Sequence, residues 1–96
     1  MPVPRTPFEI TENLDTEQAI SEYLSPILAD GNTDELIRAL NHVVKVRGMT
    51  RIAKDSGISR ARLYKALAPG AKPSFHTVVK VMRAMGVVLR ARPVPT

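Results

Sequence analysis

The stretch GMTRIAKDSGISRARLYKAL, positions 48–67, constrains the fold of this chain more than any other. Ala53 is small enough for two helices to cross over it. Gly57, four residues on, accepts the positive φ of a tight turn. Leu63, six further, is the long aliphatic that lets a second helix pack back on the first. Ile52 and Ile58 give apolar cover on either side of the turn, and Ser59 is a strong helix N-cap. An isolated Ala-x-x-x-Gly would mean little. Met together in register, these requirements describe two short helices, about Thr50–Ser56 and Arg60–Leu67, joined by Gly57-Ile58-Ser59: a helix-turn-helix.

The remaining sequence predicts helices around that unit. Asp15 followed by Gln18 has the spacing of a capping box. Ala19, Ile20, Tyr23, Leu24, Ile27 and Leu28 then recur at helical spacing, predicting a helix over Thr16–Ala29. Pro26 lacks an amide proton and is expected to kink or split it near Glu22; Asp30-Gly31-Asn32 ends it. Asn32 or Thr33 caps the next helix, whose stripe is Leu36, Ile37, Leu40, Val43 and Val44. Lys45 and Arg47 fall in its last turn, where cations suit the helix dipole, and Gly48 stops it. Beyond Pro69-Gly70, Ser74 caps a helix with Val78, Val79, Met82 and Met85 inward and Gly86 as its end. Leu89 and Ala91 alternate with Arg90 and Arg92, predicting one short strand whose partner would have to come from a second copy.

Composition agrees with packed helices. The 96 residues allow one compact domain, and 44% are apolar but only 4% aromatic, so the core is aliphatic. Met49, Met82 and Met85 read as core fillers. Without cysteine there is neither a disulfide framework nor a thiolate metal site. His42 and His76 lie far apart with no ligand-like spacing, so no metal or cofactor is expected. His76, near a helix start, could touch a phosphate or simply sit at the surface. No run approaches a membrane span, and MPVPRTPFEI lacks a signal-peptide core, so a cytoplasmic protein is expected. Five of the eight prolines lie at the ends. The expected organisation is an extended arm over 1–14, an acidic helix over 15–31, a helix-turn-helix domain over 32–93 and a tail over 94–96.

Charge is divided sharply along the chain. Residues 1–35 hold eight acids against Arg5, giving −7, whereas residues 36–96 hold thirteen Lys or Arg against Asp55, giving +12. The basic part implies a polyanion partner, namely double-stranded DNA. With Leu63, Ala66 and Leu67 inward, the second helix of the motif presents Arg60, Ala61, Tyr64 and Lys65, with Arg62 at the edge. An arginine at the helix start can fork onto guanine O6 and N7, the small Ala61 permits close approach, and Tyr64 and Lys65 reach phosphates or base edges. Thr50, Arg51, Ser59, Lys72 and Ser74 offer donors for phosphates. A short basic run is ordinarily a solvated face. Here the turn pattern and the absence of acids from Ser56 to Thr96 favour a reading surface. The acidic third cannot face DNA; its expected role is a protein-binding surface made by Glu17, Glu22, Tyr23 and Ile27, with a solvated helix as the plain alternative.

The motif run, followed by PSFHTVVKVMRAMGVVLRARP, resembles the addiction-module antidote family, antitoxins with a lambda Cro/repressor-type helix-turn-helix. The likeness extends upstream through DTEQAISEYLSPIL and GNTDELIRALNHVVKVRG, so it covers about residues 15–93. SRARLYKALAP and the PSF-x-TV-x-KV run are its most specific parts. The resemblance implies an all-α, five-helix, lambda-repressor-like domain. It also implies an antitoxin that binds its cognate toxin, generally a small basic RelE/ParE-like protein, and represses its own operon, on the nucleoid when bound to DNA. Because one such helix reads about half a site, a homodimer is expected. A stand-alone repressor without a toxin is the alternative, against which the acidic third weighs. An enzyme is not expected: there is no cysteine, no histidine–carboxylate spacing and no phosphate loop.

Overall fold

The computed structural model describes residues 14–94. They form five helices: α1 (Glu17–Asp30), α2 (Thr33–Arg47), α3 (Met49–Ser56), α4 (Arg60–Ala66) and α5 (Phe75–Ala84). The expected extended arm lies, except for Leu14, outside the described residues, as do the last two positions of the tail.

Each helix starts and stops where local chemistry dictates. Thr16, not Asp15, caps α1: its hydroxyl accepts from the Ala19 amide at 3.1 Å. The residue before it, Asp15, instead offers its backbone carbonyl to Arg47. The Asn32 side chain accepts from the Glu35 amide at 3.0 Å to begin α2. Ser59 and Ser74 cap α4 and α5 in the same way, accepting from the Arg62 and Thr77 amides. Pro26 does not split α1, which runs unbroken from Glu17 to Asp30. Glu22, whose carbonyl loses its partner to the proline, is exposed, as is Pro26 itself, so water can take the place of the missing donor.

Helix α1 turns back through Gly31 and Asn32 onto α2; α2 packs on α3, and α3 on both α4 and α5. One aliphatic core joins them. Leu14, Ile20 and Leu24 from the N-terminal side lie in the same cluster as Ile37, Leu40, Val43 and Val44 of α2, Ile52 of α3, Leu63 of α4 and Met82 of α5. The acidic helix therefore shares one core with the α3–α4 pair. In α5 the buried face is rotated from the expected stripe: Val81, Met82 and Met85 are inside, while Val78 and Val79 are only half-buried. The expected strand is absent among the described residues. The last backbone hydrogen bond there runs from the Val87 amide to the Met82 carbonyl at 3.1 Å, and 88–94 continue without regular structure. A single strand has no ladder partner within one chain.

Gly86 ends α5 at φ +91°, and a Cβ there would collide with Cγ of Glu17. Gly86→Ala would incur both the left-handed backbone cost and displacement of the Glu17 side chain. We expect a loss of about 1–2 kcal/mol. That should appear as a melting temperature lower by roughly 4–15 °C in a domain of this size.

Candidate nucleic-acid interface

The turn between α3 and α4 is built as its sequence requires. Gly57 sits at φ +74°, and its amide closes α3 on the Ala53 carbonyl at 3.0 Å. Ser56 reinforces the corner, donating from its hydroxyl to the Ala53 carbonyl at 3.3 Å and accepting from the Ile58 amide at 3.2 Å. Ile52, Ile58, Leu63 and Leu67 are buried beneath, and Ala53 is half-buried at the crossing.

This packing fixes what α4 can present. With Leu63 and Leu67 inward and Ala66 half-covered, the exposed residues are Arg60, Ala61, Arg62, Tyr64 and Lys65. Tyr64 is 60% exposed, a large apolar ring that folding leaves in solvent. Helix stability gives no reason for the charges. The first turns of α1 and α2 carry Glu17 and the pair Asp34 and Glu35, as the helix dipole favours, whereas those of α3, α4 and α5 have no acid, and that of α4 carries Arg60 and Arg62. Cations at a helix N-terminus oppose the dipole and fit a polyanion lying against that end.

Thr50 and Arg51 of α3, Ser59 at the start of α4, and Lys72 and Ser74 on the segment leading to α5 are all exposed. Arg51 meets Asp55 at 3.8 Å, with both side chains well solvated. A pair that loose and exposed contributes little, so Arg51 can turn to a phosphate. Asp55 is the one carboxylate side chain in the sequence after position 35. The hydroxyls of Ser59 and Ser74 act as caps, and that of Ser74 also meets the Thr77 hydroxyl at 3.0 Å.

Phe75 and Arg47 have places in the fold that local sequence does not show. Phe75, the first residue of α5, is 74% exposed beside Ser74. By spacing it belongs with Val78, Val79 and Met82, a core stripe. The rotation of the buried face toward Val81 leaves it in solvent, so its signal was indistinguishable from that of a core residue. Arg47, expected only as a dipole partner, is an anchor instead. Its Nη1 donates to the Asp15 carbonyl at 2.7 Å, its Nη2 lies 3.5 Å from Glu17, and its side chain is 12% exposed. Its Nε is buried with no hydrogen-bond partner among the described residues.

The other residues expected to bind a protein are placed differently from one another. Glu17 faces Arg47 and the Gly86 turn. Glu22 is exposed and accepts from the Gln18 amide group at 3.1 Å. Tyr23 and Ile27 are half-buried along one edge of α1. No group of three or more potential metal ligands occurs among the described residues, and no helix there is long and apolar enough to cross a membrane.

Residues 5–93 match a protein family described as probable addiction module antidote protein. An uncharacterised protein from Haemophilus influenzae is 42% identical over 80 residues, covering 83% of this chain and 82% of that relative. No solved structure matches.

Proposed function

Since the chain belongs to the probable addiction module antidote protein family, we propose that it is the antitoxin of a two-gene module, a protein that neutralises a toxin by direct binding and represses its own operon. The family implies a toxin as partner. The observation that carries the DNA-binding half of the reading is the exposed face of α4, where arginines stand at a helix N-terminus against the dipole. In this reading Arg60 reads base edges in the major groove, and Ala61 lets the helix approach. Tyr64, Lys65 and Arg62 hold the edges and backbone, while Thr50, Arg51, Ser59, Lys72 and Ser74 set the register on phosphates.

Two copies then read successive turns of the groove, roughly 34 Å apart. The seam proposed for that dimer is residues 87–92 with the outer side of α5, where Val88 is 61% exposed. The toxin is a small basic protein of RelE/ParE-like type, and the acidic N-terminal side suits it by charge.

The test uses the reading frame next to this gene. Expressed alone, its product should arrest growth, and co-expression of this chain should restore it through a complex that survives gel filtration. The chain should also bind the DNA upstream of the pair, with affinity falling steeply as salt rises. A neighbouring product that is harmless, or that this chain does not bind, would sink the antitoxin reading. Absence of binding to the upstream DNA would sink the repressor half.

A further inference from the structure

The antiparallel pairing of α1 and α2 creates a surface that neither helix shows alone. Along α1, Tyr23 and Ile27 are four apart and so share an edge; both are half-buried. Along α2, Glu35, His42 and Val46 fall at i, i+7 and i+11, one column of the helix, and all three are exposed. The two columns meet: the rings of Tyr23 and His42 lie 6.5 Å apart, tilted by 56°. The Tyr23 hydroxyl is held above its ordinary pKa, first by burial and then by the nearby Glu35 carboxylate. Val46 is 41% exposed although it stands in a helix otherwise well covered on its inner side.

The strip is thus apolar along its middle, with carboxylates along its α1 edge and at Glu35, and two cations beyond its outer α2 edge. Glu22 lies on the solvent side of Tyr23, and Asp30, one turn beyond Ile27, is exposed on the same edge. Arg38 and Lys45 stand one column further round α2, on the side away from α1. We propose that this α1–α2 seam, centred on Tyr23, Ile27, His42 and Val46 and bordered by Glu35, is the surface that docks the small basic toxin. The proposal rests on the antitoxin reading above and names its site. Charge complementarity selects the occupant: the carboxylates attract a basic protein and repel nucleic acid, while the aromatic and aliphatic middle supplies burial. Glu17 is left out of this surface: its side chain is 62% exposed, but its carboxylate is already paired with Arg47 beside the Gly86 turn.

The experiment measures binding kinetics of full-length chain to the purified product of the adjacent reading frame. Glu35 is exposed and Val46 is 41% exposed; unchanged far-UV circular dichroism and operator affinity check that each variant keeps the fold. Val46→Lys should raise Kd about tenfold or more, mainly through faster dissociation, because apolar anchors govern residence. Glu35→Lys should slow association several-fold at low salt, with the difference vanishing at high salt. If the wild type binds and both variants bind equally well, the seam is not the docking surface and the antitoxin reading stands. If Val46→Lys instead turns a dimer into monomers by sedimentation and leaves toxin binding intact, a second copy occupies the seam and the proposal is overturned. If the wild type itself does not bind, both readings fall.

Discussion

A chain shortened to begin at Thr33 should lose cooperative unfolding altogether. Leu14, Ile20 and Leu24 are each 0–1% exposed and lie in the same cluster as Ile52 of α3 and Leu63 of α4. Their removal forfeits about 1.5–3 kcal/mol apiece, roughly 5–9 kcal/mol together. A domain of this size has only about 5–15 kcal/mol to lose. The cut also takes both Asp15 and Glu17 from Arg47, whose Nε has no hydrogen-bond partner among the described residues. In a urea titration followed by far-UV circular dichroism, the shortened chain should show a shallow, non-cooperative decline. A sharp transition near the wild-type midpoint would mean that α1 is an appendage. For the toxin, the consequence is practical: deletion of the acidic helix cannot separate a docking role from a folding role, and point changes on the seam are needed.

The second large effect is expected at the DNA. Arg60→Ala should weaken binding to the upstream operator by about 1–3 kcal/mol, roughly five- to 150-fold. Helix content should not fall. Arg60 is exposed at the first position of α4, alanine is the better helix former, and the removed cation opposed the dipole. Stability and affinity are therefore expected to move in opposite directions, or stability not at all. Tyr64→Ala should behave similarly. Arg51→Ala should weaken operator and unrelated DNA alike and flatten the salt dependence, since a phosphate contact carries no direct sequence information. Arg60→Ala binding the operator as tightly as wild type in an electrophoretic titration would remove α4 from the groove.

Features that depend on neighbours within four residues were legible in the chain itself. The Asn32, Ser59 and Ser74 caps, the Gly57 corner, the helix boundaries to within a residue or two and the outward residues of α4 all follow from i to i+4 geometry and the chemistry of helix ends. The charge division between residues 1–35 and 36–96 is likewise a property of the string. Contacts across the chain could not be read in this way. Thr16 and Asp15 are both competent caps, and only the fold shows Thr16 capping while the Asp15 carbonyl meets Arg47, 32 positions on. Pro26 is harmless because it lies on the exposed face of α1, which depends on where α1 packs. Val81 rather than Val79 is inside, in a helix that packs on α3. The seam of Tyr23 with His42 exists only because two helices, each locally specified, lie antiparallel. Periodicity tells a helix which face is apolar; what that face touches, and which apolar residue is left over for a partner, is fixed only when the helices close on one core.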